Sequence, residues 1–232
     1  MKRILKNIII IGLFLFLITF TALLTYLHFF ASDDKDLSGN WTAKLDMTKQ
    51  SAVTALSWLQ DIEAVSISLE DMESYMQGLT IEVNLTLDQT ANSEGMFHCN
   101  ILPESYDACN QAAYEAFAAA FEELLIERLR MAGYTGNTDK ETIEALVTET
   151  FGMSTVSYLK SCGPRLLPPL EDLQAQYDGS GTYKTAEGIL TRQFDDGQTV
   201  TTKTEYYIRK DSRLVLSEEN DSAYSSVMYT LQ

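Results

Sequence analysis

The chain has 232 residues and a formal net charge of −16, with 17 basic and 33 acidic side chains. So anionic a surface argues against nucleic acid and anionic lipid headgroups as partners. The length allows about one domain after a short N-terminal segment.

That segment begins with Lys2, Arg3 and Lys6 and no anion, followed by a run from Ile8 to Phe30 without a charged residue. At about 1.5 Å per residue the run crosses a hydrocarbon core of about 30 Å. A cleavable signal has an apolar region of only about 7–15 residues and a small-x-small site. Here the run is longer, and its end, from Tyr26 to Ser32, offers no Ala-x-Ala. The expectation is an uncleaved signal anchor over 1–31, a linker over 32–36 and a domain over 37–232. The positive-inside bias keeps Lys2, Arg3 and Lys6 cytoplasmic, which puts the domain outside the cytoplasm on a single-pass cell-membrane anchor. Without those three cations, the exported part carries −19.

Trp41, Ala43, Leu45 and Met47 alternate with Thr42, Lys44 and Asp46, which predicts a strand over 37–47. The period then changes. Val53, Leu56, Leu59 and Ile62 fall at helical spacing, and Ser68-Leu69-Glu70-Asp71 reads as the start of a second, brief helix. Alternation returns over 79–87, and a polar turn leads to its antiparallel partner over 96–102. The longest helical signal covers 104–132. Its stripe is Cys109, Ala113, Phe117, Phe121, Leu124 and Leu125, while Glu122, Glu123 and Glu127 read as a solvated face. Thr138-Asp139-Lys140-Glu141 reads as a capping box that starts another helix. Ser154 caps a third, and Pro169 stands near the first turn of a fourth, so the helical insertion covers about 104–176.

Beyond Tyr177 the composition shifts to Thr, Tyr and Val. Gly179-Ser180-Gly181 reads as a hinge before a strand at Thr182. Asp196-Gly197 is a hairpin signal, and strands recur about every ten residues to the C-terminus. The count is about eight strands, and an up-and-down barrel of that size leaves room inside for side chains or one small ligand.

Chemistry is harder to assemble. His98 and Cys99 are adjacent, so on a strand they face opposite ways and cannot pair. No His/Cys spacing suits zinc, and the Asp195-Asp196-Gly197 turn lacks the later ligands of a calcium loop. No phosphate-binding glycine loop is present. Neither a catalytic constellation nor a cofactor is expected. Cys99, Cys109 and Cys162 leave at least one thiol unpaired. Cys99 with Cys109, Cys109 with Cys162, and buried free thiols all remain open.

Gly39-Asn40-Trp41, at the start of the first strand, resembles the Gly-x-Trp signature of lipocalins and other calycin-like barrels. The segment Gly181-Thr182-Tyr183-Lys184 with Glu187-Gly188 is similar to a strand-turn-strand unit of bacterial lipocalin-like domains. The order of elements also resembles that of an uncharacterised group of membrane-tethered bacterial proteins. The resemblance implies a mainly β fold with an α insertion (α+β), a lipocalin-like antiparallel barrel. It also implies a late-strand arginine packed over the tryptophan, for which Arg192 and Arg209 are both available. A large helical insert is not typical of lipocalins.

The function expected is non-enzymatic binding of a small apolar or amphipathic molecule, with Trp41, Tyr183 and Tyr206 as candidate interior residues. The alternative is a structural or protein-interaction domain of the cell envelope with a filled barrel core.

Overall fold

The computed structural model describes residues 36–62, 67–195, 199–218 and 226–232. The expected anchor over 1–31 lies outside the described residues. Among these, no helix is long and apolar enough to cross a membrane.

Eight antiparallel strands close into a barrel in simple chain order. They are β1 (Gly39–Asp46), β2 (Thr80–Ala91), β3 (Glu94–Ile101), β4 (Gly179–Ala186), β5 (Ile189–Asp195), β6 (Val200–Lys210), β7 (Arg213–Ser217) and β8 (Ser226–Leu231). β8 closes the sheet by pairing Leu231, Thr230 and Tyr229 with Trp41, Thr42 and Ala43. Closure leaves neither terminal strand as an edge open to other chains.

Helices fill two connections. Between β1 and β2 lie α1 (Thr48–Ile62) and α2 (Leu69–Tyr75); between β3 and β4 lie α3 (Pro103–Met131), α4 (Lys140–Phe151), α5 (Thr155–Cys162) and α6 (Leu170–Tyr177). Because the strands alternate in direction, these connections all fall at one end of the barrel. The opposite end has the tight β2–β3, β4–β5 and β6–β7 turns and receives the chain at Gly39. We call these the helix end and the hairpin end.

The caps follow local chemistry. Ser68 accepts from the Asp71 amide at 3.2 Å and its own amide donates to Asp71 at 3.1 Å, a complete capping box for α2. Ser154 caps α5 as expected. At α4 the cap is Asp139, which accepts from the Thr142 amide at 2.8 Å; Thr138 is not the capping residue.

One apolar core runs from Leu37 at the hairpin end, through the barrel, and out among α1, α2, α3, α5 and α6. On α3 it takes two rows. Cys109, Ala113 and Phe117 of the expected stripe are buried, and the row continues through Ala120. Tyr114, Ala118 and Glu122, spaced by four, form a second buried row, so Glu122 is not on a solvated face. Phe121 and Leu124 are only partly buried.

Glycines decide where strands approach. Gly179-Ser180-Gly181 is not a hinge; it is the first part of β4. A side chain at Gly179 would meet the Phe194 ring at 2.5 Å, and one at Gly181 would meet the Gln193 carbonyl oxygen at 1.9 Å. These glycines therefore let β5 lie close, which composition alone disguises as flexibility. Gly39 has φ +143°, and a Cβ there would sit 2.5 Å from Leu231 Cδ1 on the closing strand. The glycine of Gly-x-Trp is thus a condition of closure. Gly39→Ala should lower stability by about 1–3 kcal/mol, the scale of a strained backbone position. A fall in the urea midpoint with an unchanged m-value checks this.

Candidate functional site

The barrel interior is the natural place for a ligand, and its lining follows from the register. Trp41, Leu85, Cys99 and Gly179 form one inward row. Gly95, Tyr183, Arg192 and Lys203 form another. Arg209, Leu214, Tyr229 and Ala43 form a third.

At the hairpin end, Trp41 is fully buried and its indole nitrogen donates to the Leu37 carbonyl at 2.9 Å. Arg209 lies over the indole with its guanidinium carbon 5.5 Å from the ring centroid. Of the two arginines available, Arg209 therefore packs over the tryptophan, a cation–π contact of about 0.5–2 kcal/mol. Asp36 stands nearby. Its carboxyl is held below the usual carboxylate range, first by the Ser38 hydrogen bonds and less by the charge of Arg209. Tyr183 is 2% exposed and closes the same end against Gly95, where a Cβ would meet its ring at 2.6 Å.

Mid-barrel, the lining is charged. Arg192 Nε donates to Glu205 Oε2 at 2.9 Å, with Nη2 2.6 Å from the same oxygen. Both side chains are 6% exposed. The guanidinium also lies 5.4 Å from the Phe97 centroid and 5.3 Å from that of Phe194. Those two rings meet edge to face at 4.8 Å. Lys203 approaches the other Glu205 oxygen at 3.4 Å and Glu218 at 3.3 Å, leading the charge out to the surface. Cys99 faces the pair, and burial pushes its thiol up to about 11 despite the neighbouring Arg192. Burial also raises Tyr229 far above an ordinary phenol.

Trp41, Leu85, Leu87, Leu190 and Leu214 are each 0% exposed. A void large enough to hold water would leave accessible area on its lining, so none touches these side chains. The described interior is packed with side chains, as an eight-stranded barrel permits. Three depressions lie on the outer surface or at the rim. One of about 570 Å³ opens beside α6 and the helix end of β4, β5 and β6, over Asp178, Phe194, Asp195 and Lys203. One of about 890 Å³ runs outside β1 and β8, past Lys44, Met228 and Thr230. One of about 470 Å³ separates α2 from α3, with Ile67, Tyr75, Leu124 and Glu127 on its walls.

Of the expected interior residues, Trp41 and Tyr183 face inward but do not meet in a pocket. Tyr206 is a correction: it shares a face with Thr204 and Ile208, and Ile208 is 62% exposed. The inward set on β6 is Lys203, Glu205, Tyr207 and Arg209. An apolar-inward reading of β6 turns the strand over, because its charges are inside. Glu205 was not singled out in the sequence, and Arg192 and Cys99 were considered for other roles, not as interior partners; the paired charge on adjacent strands was the available signal.

The three cysteines are free, with Cys99 and Cys109 buried and Cys162 exposed. His98 is exposed where Cys99 is buried, so the two face apart as alternation requires. Among the described residues, no group of His, Cys, Asp and Glu is arranged to hold a metal.

No family model, curated protein or solved structure matches the chain.

Removing one partner of a buried ion pair strands the other. Glu205→Ala should therefore cost about 3–5 kcal/mol in chemical denaturation, and Arg192→Met with Glu205→Leu together should recover most of that loss. Thiol labelling of the native chain should modify Cys162 alone at neutral pH, with all three cysteines reacting after denaturation. Early modification of Cys99 would contradict the packed interior.

Proposed function

We propose that the chain is a membrane-tethered, extracytoplasmic, non-catalytic interaction domain, in which a filled lipocalin-like barrel supports a helical block that docks a basic partner protein. What carries this reading is where apolar surface remains. The barrel interior is occupied by its own side chains. Outside it, Met131 (72% exposed), Tyr134 (43%), Leu146 (40%), Phe151 (45%) and Met153 (39%) stand out from the helix block, and a second apolar strip, Ile208 and Met228 on either side of Val215, crosses the barrel wall. Several large apolar side chains gathered on one block, Met131 and Tyr134 at and after the end of α3 and Leu146, Phe151 and Met153 along and after α4, suit a protein contact better than single scattered ones do. The partner's chemistry follows from charge. A chain of −16 repels a second copy of itself and anionic headgroups, and it attracts a surface that mixes cations with apolar side chains.

The docking test uses the full chain in intact membranes, with a photo-crosslinking residue at Leu146 and, as control, another at Thr182, an exposed polar position on the barrel wall. A discrete protein adduct at Leu146 is expected, lost on Glu149→Lys and at high salt. An adduct with a second copy, or none, overturns docking of a basic partner. For the tether, protease added outside intact cells should degrade the domain; full protection would overturn the orientation.

A second reading is favoured by the rim depression. Its volume of about 570 Å³ falls within the range of small-molecule sites, and Phe194 offers a ring beside Asp178 and Asp195, while Lys203 is already paired with Glu205 and Glu218. A small amphipathic cation would suit it. Calorimetry with a medium-chain alkylamine tests this. Binding that Asp195→Asn weakens supports the reading, and absence of binding removes it.

A further inference from the structure

The outer wall over β6, β7 and β8 differs from the rest of this acidic chain. The outward positions of these strands hold Thr, Ser, Val, Ile, Met and Tyr, and the charged ones are both cations, Lys210 and Arg213. No carboxylate side chain stands on this face, although the chain has 33 acids. Ile208, Val215 and Met228 are cross-strand neighbours on it, and Ile208 and Met228 are more than half exposed.

The strip leads into the depression of about 890 Å³, and the barrel seam explains why. β1 and β8 pair at Trp41, Thr42 and Ala43, whereas β1 stays paired with β2 as far as Asp46 and β8 is paired with β7 from Ser226. The two strands therefore part at the helix end. Leu45 on β1 and Val227 on β8 occupy inward positions, yet both line the depression, together with Met228 and Leu102. An apolar slot thus opens from outside, next to the strip. The charges at its edge are already engaged: Lys44 lies 3.6 Å from Glu82, and Asp46 accepts from the Thr48 amide at 2.8 Å.

At the other end of the strip, Lys210 and Arg213 stand directly opposite each other in the ladder, both exposed. Like charges in that position repel. Asp211 lies in the turn between them, and among the described residues neither cation makes an ion pair. A carboxylate set over both would remove the repulsion and gain two charge-assisted contacts. Arg213 and Val215 are two residues apart on one strand face, about 7 Å, and Met228 is about 5 Å further across. Alternate side chains of an extended chain have that same spacing of about 7 Å. We propose that this wall is a second docking face, which takes an extended acidic segment of another protein, with a carboxylate over Lys210 and Arg213 and a large apolar side chain passing Met228 into the slot between β8 and β1. Charge selects this occupant, because a second copy would set −16 against −16. The face is independent of docking at the helix block, since the two surfaces take partners of opposite sign.

The test is methyl NMR of the full chain in a nanodisc of zwitterionic lipid, titrated with the peptide Glu-Thr-Leu-Thr-Phe flanked by glycine and serine. A Lys-Thr-Leu-Thr-Phe counterpart is the control. The acidic peptide should shift the methyl signals of Ile208, Val215 and Met228 and leave Val83, inside the barrel, in place. It should bind at least about tenfold more tightly than the counterpart, an advantage that high salt removes. Arg213→Glu turns the repelling pair into an attracting one, so the fold is kept while affinity for the acidic peptide falls about tenfold. Met228→Ser should weaken both peptides alike. The proposal is overturned by an absence of shifts, by equal binding of the two peptides, or by unchanged affinity in Arg213→Glu. Broadening of Met228 by a paramagnetic lipid would assign the wall to the bilayer, and self-association lost in Arg213→Glu would assign it to a second copy; either also overturns it. None of these readouts depends on a crosslink at Leu146.

Discussion

The ion pair between Arg192 and Glu205 constrains everything around it. Taking both charges out of water is tolerable only where each finds close partners. Arg192 is therefore held on two sides, by the Glu205 oxygen and by the faces of Phe97 and Phe194. Those rings need room, and Gly179 supplies it by having no side chain where Phe194 lies. Lys203 and Glu218 then continue the charge toward the rim, so Glu205 is offered a cation at both oxygens. An interior organised in this way has its volume committed before any ligand arrives.

Sequence pattern revealed the number of strands, their order and most of their turns, because those signals are local. Alternation in β1 and β2, the Ser68 and Ser154 caps, and the shift to Thr and Tyr after Tyr177 each depend on a few adjacent residues. The misreadings share another cause: the deciding contact lies far along the chain. Gly179 and Gly181 look like a hinge until β5 is laid beside them. Tyr206 looks inward-facing until Glu205 is matched with Arg192 on the neighbouring strand. Glu122 looks solvated until the helix packing around α3 leaves it 7% exposed. The candidate site was therefore less legible than the fold. Its key members are polar residues in apolar surroundings, where local pattern points the wrong way.

The same logic separates the two ends of the molecule. At the hairpin end, Leu37, Trp41, Arg209 and Tyr183 form a plug in which every large side chain is set against the barrel wall. Gly39 makes that closure possible by letting β8 lie against β1. The helix end continues the core outward instead. Ala113, Ala118 and Ala120 let other elements approach α3 closely, and the apolar cluster passes from barrel to helices without a break. Only α4 stands outside it, with its small apolar contact and its polar anchor at Glu144.

Geometry then favours action at the helix end under the proposed tether. The chain enters at Gly39, on the hairpin end, so a membrane anchor before it would place that end nearest the bilayer. β2, at 12 residues, measures about 40 Å along its length at about 3.3 Å per residue. α3, at 29 residues, is about 43 Å long. A filled barrel in this position works as a stiff spacer: ion pair, plug and closure keep it from deforming, and the helix block is carried away from the anionic leaflet that its own charge would oppose. The element least bound to the core is then also one of those farthest from the anchor. A weakly attached helix, free of the cooperative core, can move without unfolding the barrel beneath it.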